Sequence, residues 1–428
     1  MRNDGGVSEV FDEETMVANL RRLVEVESPS DDVAATTRCA EVVESVGREL
    51  LRRAPEWIYT GELKRPNLVW RWGSAADSRA REDSRTGADS RAIGEGSGAR
   101  GDGGGTRVDD SSGADSAFDN SNTAPPRQVI IGHLDTVWLM GTLARWPFTV
   151  DASAGTATGP GCFDMKAGLV QAFHAIATLT PEERDGLVLL ITSDEEIGSP
   201  DSRELIEATA RGAKAAFVPE ASAAGALKKA RKGVSLYDVY IEGRAAHAGL
   251  EPHKGINATI ELAHQVRIIA GLEDAVTETT VTPTVARAGT TSNTVPAEAH
   301  LRVDVRCRTV AEQRRVDRSM HALQPHLDGA TLRIVGGPNR PPLEAATSAA
   351  LVANAQLHYR ELGFGELDAV AVGGGSDGNF TAGLGVPTLD GIGAVGDGAH
   401  TEGEWVSTPD LPRRAQLLAA LLRAYSRD

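Results

Sequence analysis

The feature that most constrains this chain is a set of short runs whose apolar residues are consecutive, not alternate. QVIIG (Gln128 to Gly132), LVLLIT (Leu187 to Thr192) and AAFVP (Ala215 to Pro219) leave almost no polar side to face water. Strands of this kind are covered on both faces, as in a mostly parallel sheet clothed by helices. Helical patterns accompany them. Met16, Val17, Leu20, Leu23 and Val24 recur at helical spacing, as do Val42, Val43, Val46 and Leu50, and a further helix is expected over Met165 to Leu179. The same style returns near the end in DAVAVGG (Asp368 to Gly374), VPTLDGIG (Val386 to Gly393) and an amphipathic helix from Leu411 to Tyr425. The expected fold class is α/β, with a mostly parallel sheet flanked by helices.

The pattern changes after Lys232. VSLYDVYIEG (Val234 to Gly243) alternates with period two, a helix is expected over Ile256 to Leu272, and VTPTVARAG, EAHLRVDVR and TLRIV read as further strands around a second helix. Helices between mainly antiparallel strands predict a compact α+β insert over residues 232–338, so that residues 1–231 and 339–428 form one discontinuous domain around it. Within its first part, the stretch 73–126 has only Ile93, Val108 and Phe118 as large apolar residues and reads as a disordered low-complexity insertion.

Charge narrows the function. Lys and Arg number 44 against 60 Asp and Glu, a formal charge of -16 that repels nucleic-acid backbones and anionic lipid. Cys39, Cys162 and Cys307 stand far apart with no C-x-x-C pair, which argues against a disulfide scaffold or a cysteine-zinc site. No apolar leader and no run of eighteen apolar residues is present, so a cytoplasmic protein without membrane contact is expected.

Strand ends in the first domain deliver acidic and histidine side chains into short loops, where open α/β sheets place their sites. His133 and Asp135 follow the first run, two residues apart, and so project to one side as a histidine and an orienting carboxylate would. Asp164 stands at a helix threshold, Asp194, Glu195 and Glu196 follow the second run, Glu220 follows the third, and His400 lies in a glycine-rich loop. Taken singly, Asp164 reads as a helix cap, the acidic triplet as a solvated turn, and either histidine as a hydrogen-bonded loop residue. Together, two histidines and at least three carboxylates without thiolates suit zinc, cobalt or manganese in a two-metal hydrolytic site.

HLDTV, GPGCFDMKAG, SDEEIGS, PEAS, GRAAHAG, the SN of TTSNTVPAE, DVR, GGGSDGN and the late His400 occur in an order that resembles a family of co-catalytic metallopeptidases. It is the family of glutamate carboxypeptidase, acetylornithine deacetylase and succinyl-diaminopimelate desuccinylase, and the resemblance is nearest to its glutamate carboxypeptidase branch. The resemblance implies that Asp164 bridges two divalent ions, most simply zinc. His133 and Glu220 would complete one site, and Glu196 and His400 the other. Asp135 would orient His133, and Glu195 would be the general base, taking a proton from the attacking water and returning it to the leaving amine. The insert becomes a lid and dimerisation domain, from which His247 would reach the partner subunit's site and stabilise the oxyanion. Asn293 and Arg306 would bind substrate oxygen and carboxylate; a salt bridge with Asp304 is the plain alternative for Arg306. His253 keeps a structural reading, and Arg340, in PNRPPLE, matches only loosely. Gly374, in GGGSDGN, belongs to a segment that offers backbone donors beside the substrate or is a flexible turn. Cys162, two residues before Asp164, reads as a buried inert thiol.

The expected protein is a homodimeric hydrolase of a peptide or N-acyl amide bond beside a free carboxylate. The alternatives are an N-acyl amino acid deacylase or desuccinylase, and a non-catalytic binding or scaffold relative. An intact set of five ligands plus Glu195 speaks against the last.

Overall fold

The computed structural model describes residues 11–73 and 124–426, so the expectation for the insertion falls mainly on residues outside the described ones. Helix α1 (Glu13–Val24) starts where the Asp12 carboxylate accepts the Thr15 N–H at 2.8 Å, and α2 (Val33–Leu51) where Asp32 accepts that of Ala35 at 2.9 Å. The hairpin β1 (Glu56–Thr60) and β2 (Arg65–Arg71) comes next. Then follow β3 (Gln128–His133), α3 (Ala167–Ala177), β4 (Leu187–Thr192), α4 (Arg203–Ala210), β5 (Ala215–Val218) and β6 (Leu227–Arg231).

At this point the chain enters a second sheet. Strand β7 (Gly233–Glu242) is followed by α5 (Ala258–Ala270), β8 (Thr280–Ala288), β9 (Glu298–Cys307), α6 (Val310–His321) and β10 (Thr331–Arg340), which runs past residue 338. It returns to the first sheet through α7 (Ala345–Glu361), β11 (Ala369–Val372), α8 (Gly378–Gly383), β12 (Thr388–Asp390) and α9 (Asp410–Ser426).

The first sheet has the order β1-β2-β4-β3-β5-β12-β6-β11. Its centre, β4, β3, β5 and β12, is parallel; β2 lies antiparallel on one side and β6 with β11 on the other. Alternation along the central strands divides their side chains between two cores. Ile130, Leu189 and Ile191 pack with α1, α2, α3 and α9, while Val129, Ile131, Val188 and Leu190 pack with Leu205, Ile206 and Phe380 from α4 and α8. Each fully buried side chain of this kind stabilises the fold by about 1.5–3 kcal/mol, which is why no polar position was available in these runs.

The second sheet, in order β8-β9-β7-β10, is antiparallel throughout. Among the described residues only one face is covered: Tyr237, Val239, Ile241, Leu301, Val303 and Val305 meet α5 and α6, and the opposite face carries Leu236, Asp238, Tyr240, Arg302, Asp304 and Arg306. Strand β8 is an edge. The expected helix over Met165 to Leu179 begins later, at Ala167, because Asp164 and Met165 hold non-helical dihedrals inside a wide turn over Cys162–Lys166. Among the described residues no helix is long and apolar enough to cross a membrane.

Candidate metal centre

Parallel strands bring their carboxyl ends to one edge, and this edge gathers the acidic and imidazole side chains. His133 is the last residue of β3, Glu195 and Glu196 open the turn after β4, and Glu220 follows Pro219 at the end of β5. The Glu220 end is held tightly. A Cβ on Gly168 would lie 1.8 Å from the Pro219 carbonyl oxygen and one on Gly393 2.1 Å from the same atom, so only glycine lets α3 and the loop after β12 close around it. Asp164 enters from the turn before α3, and His400 from a loop in which its own φ is +62°, a left-handed conformation that costs a non-glycine residue about 1–3 kcal/mol.

The imidazole of His133, 1% exposed, is the centre of the cluster. Its Nδ1 lies 3.0 Å from the Asp135 carbonyl oxygen, while Nε2 lies 3.4 Å from Asp164 and 3.5 Å from Glu220 and has no hydrogen-bond partner among the described residues. His400 Nε2 stands 3.1 Å from Glu196 and 3.3 Å from Asp164. Asp164 therefore faces both imidazoles. One donor atom each from His133, Asp164 and Glu196 falls within 4.8 Å of the others, and so does one each from His133, Glu195 and Glu220. Asp135 serves the cluster twice, since its two carboxylate oxygens also accept the backbone N–H groups of Glu195 and Glu196 at 3.2 Å each.

The electrostatics favour added positive charge here. Burial opposes charging of His133, but Asp135, Asp164 and Glu220 outweigh it and raise its pKa well above the usual value. Asp164 and Glu196 push His400 up to about 10, and burial lifts Glu196 to about 7. Without a cation, the cluster draws protons. An orphaned buried Nε2 among oxygen donors is what a divalent ion requires, and a set of two imidazoles and three carboxylates fits zinc, cobalt or manganese.

The adjacent carboxylates part company. Glu196 turns to His400, whereas Glu195 Oε1 accepts from Arg340 Nη2 at 2.8 Å. Burial lifts the Glu195 carboxyl well above its ordinary pKa, against the opposing pull of Arg340.

The residues expected on the substrate side are not drawn into this cluster. His247 is exposed, and its Nδ1 accepts from the N–H groups of Gly249 and Leu250 at 3.2 and 3.1 Å. Asn293 is exposed as well and offers its carbonyl to Ala248 N–H. Arg306 is paired bidentately with Asp304 at 2.7 and 2.8 Å. The Gly374 carbonyl accepts from Arg231 at 3.2 Å, so its backbone serves there as an acceptor.

Three residues beside the cluster, Arg340, Asp377 and Arg231, carry no role in the sequence reading. Arg340, at the end of β10, also bonds Ser199 and Asp377, and Asp377 in turn accepts from Thr192. Arg231 forks onto Asp390 at 2.8 and 2.7 Å and comes within 3.7 Å of Glu220. Their partners lie far away along the chain, and the loose match of Arg340 was the one local signal.

A sequence model described as peptidase family M20/M25/M40 matches residues 129–424. Carboxypeptidase G2 of Pseudomonas sp. (strain RS-16) is 33% identical over 307 residues, 69% of this chain and 72% of that protein. The chain belongs to peptidase family M20/M25/M40. It is a metallopeptidase by that membership, and solved structures agree in fold. Aminopeptidase PepT from Bacillus cereus superposes with a TM-score of 0.65 at 20% identity, covering 98% of this chain and 100% of that one. The M20 metallo-carboxypeptidase Sso-CP2 from Sulfolobus solfataricus gives 0.66 at 15%, covering 96% and 99%. A dinuclear metal binding M20 peptidase from Bacillus subtilis gives 0.56 at 15%, covering 97% and 98%.

Proposed function

We propose that this M20 family member is a two-metal-dependent hydrolase that cleaves a peptide or N-acyl amide bond next to a free carboxylate, as a glutamate carboxypeptidase does. The observation that carries the reading is the parting of Glu195 and Glu196, one directed at a cation-binding cluster and its neighbour at a guanidinium. Such chemistry needs one carboxylate that holds metal and one that does not.

In this reading His133, Asp164 and Glu220 hold one divalent ion, and Asp164, Glu196 and His400 the other, with zinc as the first choice and cobalt or manganese as substitutes. When bound, the ions supply Lewis-acid polarisation of the scissile carbonyl and a more acidic water. Glu195 takes the proton of the attacking water as oxygen bonds to the carbonyl carbon, then returns it to the amine nitrogen as the C–N bond breaks. Its raised pKa suits a base that must keep and then surrender a proton. Asp135 holds His133 and, through two backbone N–H groups, the Glu195–Glu196 turn.

The second sheet supplies the substrate side. Arg306 would bind the substrate carboxylate in exchange for Asp304, and Asn293 a substrate oxygen, while the Gly374 segment lines the cleft. His247 would act on a second copy of the chain. The open edge of β8, with Ile260 and Ile268 of α5 and Val276 exposed beside it, offers a surface for a homodimer. Three free, buried cysteines accord with the cytoplasm.

A panel of N-acyl and peptidyl glutamates, neutral amino acids and carboxamide analogues, run on metal-loaded protein with metal content measured, tests the reading. Metal-dependent hydrolysis of acids over carboxamides is expected. Equal turnover of acid and carboxamide overturns the carboxylate requirement, and release of acyl groups irrespective of the amino acid favours a deacylase.

A further inference from the structure

Glu404 has no place in the chemistry above, yet it is among the most buried carboxylates of the chain, at 0% exposure. Its two oxygens are both used. Oε1 accepts the backbone N–H of Phe163 at 3.0 Å, one residue before Asp164, and Oε2 accepts the indole N–H of Trp138 at 2.9 Å, in the loop that follows His133 and Asp135. Glu404 itself closes the loop of His400, donating its own N–H to the Thr401 carbonyl at 3.1 Å. Three loops that each carry a candidate metal ligand thus meet at one side chain. Its carbonyl oxygen also lies 3.7 Å from Cys162 Sγ, within the turn that precedes Asp164.

We propose that Glu404 is a positioning residue that sets the spacing of the two metal sites by tying the loops of His133, Asp164 and His400 to a single buried carboxylate. The choice of side chain supports this. Burial, together with the nearby Asp164, disfavours a charge on Glu404, so a carboxylate is costly to hold here. Glutamine would be cheaper to bury but has only one acceptor oxygen, while both neighbours are donors. Only a group that accepts at both ends satisfies Phe163 and Trp138 together. The tie is reinforced beyond Trp138, whose ring meets Trp146 edge-on at 5.0 Å, and Trp146 bonds Thr158 of the strand that pairs with Trp405. The loops of His133 and His400 are therefore joined by a second route, and the carboxylate fixes where Asp164 stands between them.

The inference rests on the two-metal reading, and the test separates the two. Metal-free wild-type protein is titrated with zinc against a chromophoric chelator, beside Glu404→Gln, Trp138→Phe and the double variant, with circular dichroism and thermal unfolding of each metal-free protein as the folding control. Glu404→Gln should stay folded and bind zinc about 10–100-fold more weakly, the scale for losing a partner that orients a ligand. The double variant should recover most of that loss, because removing the indole N–H lets the single glutamine oxygen serve Phe163. A purely structural role would lower the unfolding temperature without that reciprocal rescue of affinity. Wild-type affinity in Glu404→Gln, or a double variant no better than the single, overturns the proposal. If Glu404→Gln does not fold, Trp138→Phe alone decides: a several-fold weaker zinc affinity supports the tie and an unchanged one refutes it. Wild-type protein that binds no zinc would instead remove the two-metal reading and this inference with it.

Discussion

A histidine at a strand end has opposite fates in the two sheets. His133 ends a strand at the centre of a parallel sheet, is almost fully buried, and has three carboxylates within 3.5 Å. His247 ends a two-residue strand beside the antiparallel sheet, paired with Thr294, and is exposed, its imidazole accepting from the N–H groups of Gly249 and Leu250. Topology accounts for the difference. Parallel strands deliver all their carboxyl ends to one edge, so their loops converge within one chain, whereas an antiparallel sheet sends alternate ends in opposite directions. The cluster on the first sheet is complete by folding; from the second sheet Arg340, at the end of β10, reaches Glu195 directly, whereas His247 needs motion or another copy of the chain to join it.

The sharpest way to break this comparison is at Glu195. If the main sheet alone holds the reacting groups, Glu195→Gln should lose about two to four orders of magnitude in turnover, the scale for removing a general base, and keep both metals. Near-normal turnover, or loss of metal, would show that the two adjacent carboxylates are assigned the wrong way round.

The second sheet is tested by mixing. His247→Ala should cost about a hundredfold, as removal of an oxyanion donor does. Because its proposed target is a neighbour's site, combining it with Glu195→Gln should restore activity to about one site in four, through hybrid dimers of a symmetric pair. No recovery on mixing, or a monomer by light scattering, would leave His247 a loop residue.

A smaller effect reads the charge of the cluster. His400, raised to about 10 by Asp164 and Glu196, carries at neutral pH a proton that a metal ion must displace. Zinc uptake should therefore release protons, and affinity should rise with pH by about tenfold per unit for each proton released until that pKa is passed. Calorimetry at pH 7 in buffers of different ionisation enthalpy would detect it; zero proton release would mean that the imidazole is not a ligand.

The least effect is expected from shortening the connection between β2 and β3. Trp72 pairs with Leu187 and Gly186, and Arg127 with Gly186, so the two ends of the connection are fastened to the same short stretch. Lengthening a closed loop costs only about 0.6 kcal/mol per doubling. Replacing residues 74–123 by a short glycine-serine linker should leave the unfolding temperature and turnover close to those of the intact chain. A large fall in either would assign that segment a part in the fold or the site.

The order of legibility follows from range. LVLLIT matches β4 residue for residue and AAFVP exceeds β5 only by Pro219, because burial on both faces writes itself into consecutive residues. His133, Glu196 and Glu220 were legible for a related reason, since each follows such a run, whereas Asp164 stands at a helix threshold and His400 in a glycine-rich loop. LKKAR carries no strand signal, since its lysines and arginine disguise β6, and the buried Arg231 pairs with Asp390 across the sheet. Asp377 and Glu404 escaped likewise, and Arg340 offered only a loose motif match. Their meaning is a distant partner, which their immediate neighbours do not identify.

The spread of the cluster along the chain has a kinetic consequence. Its members run from His133 to His400, on strands whose pairing is parallel and non-local, so the cluster exists only once the main sheet has closed. Contacts of such long range form late in folding. Metal would then bind what has already folded and would hold it shut: chelation should speed unfolding and leave the rate of refolding nearly unchanged, the behaviour of an interaction absent from the transition state.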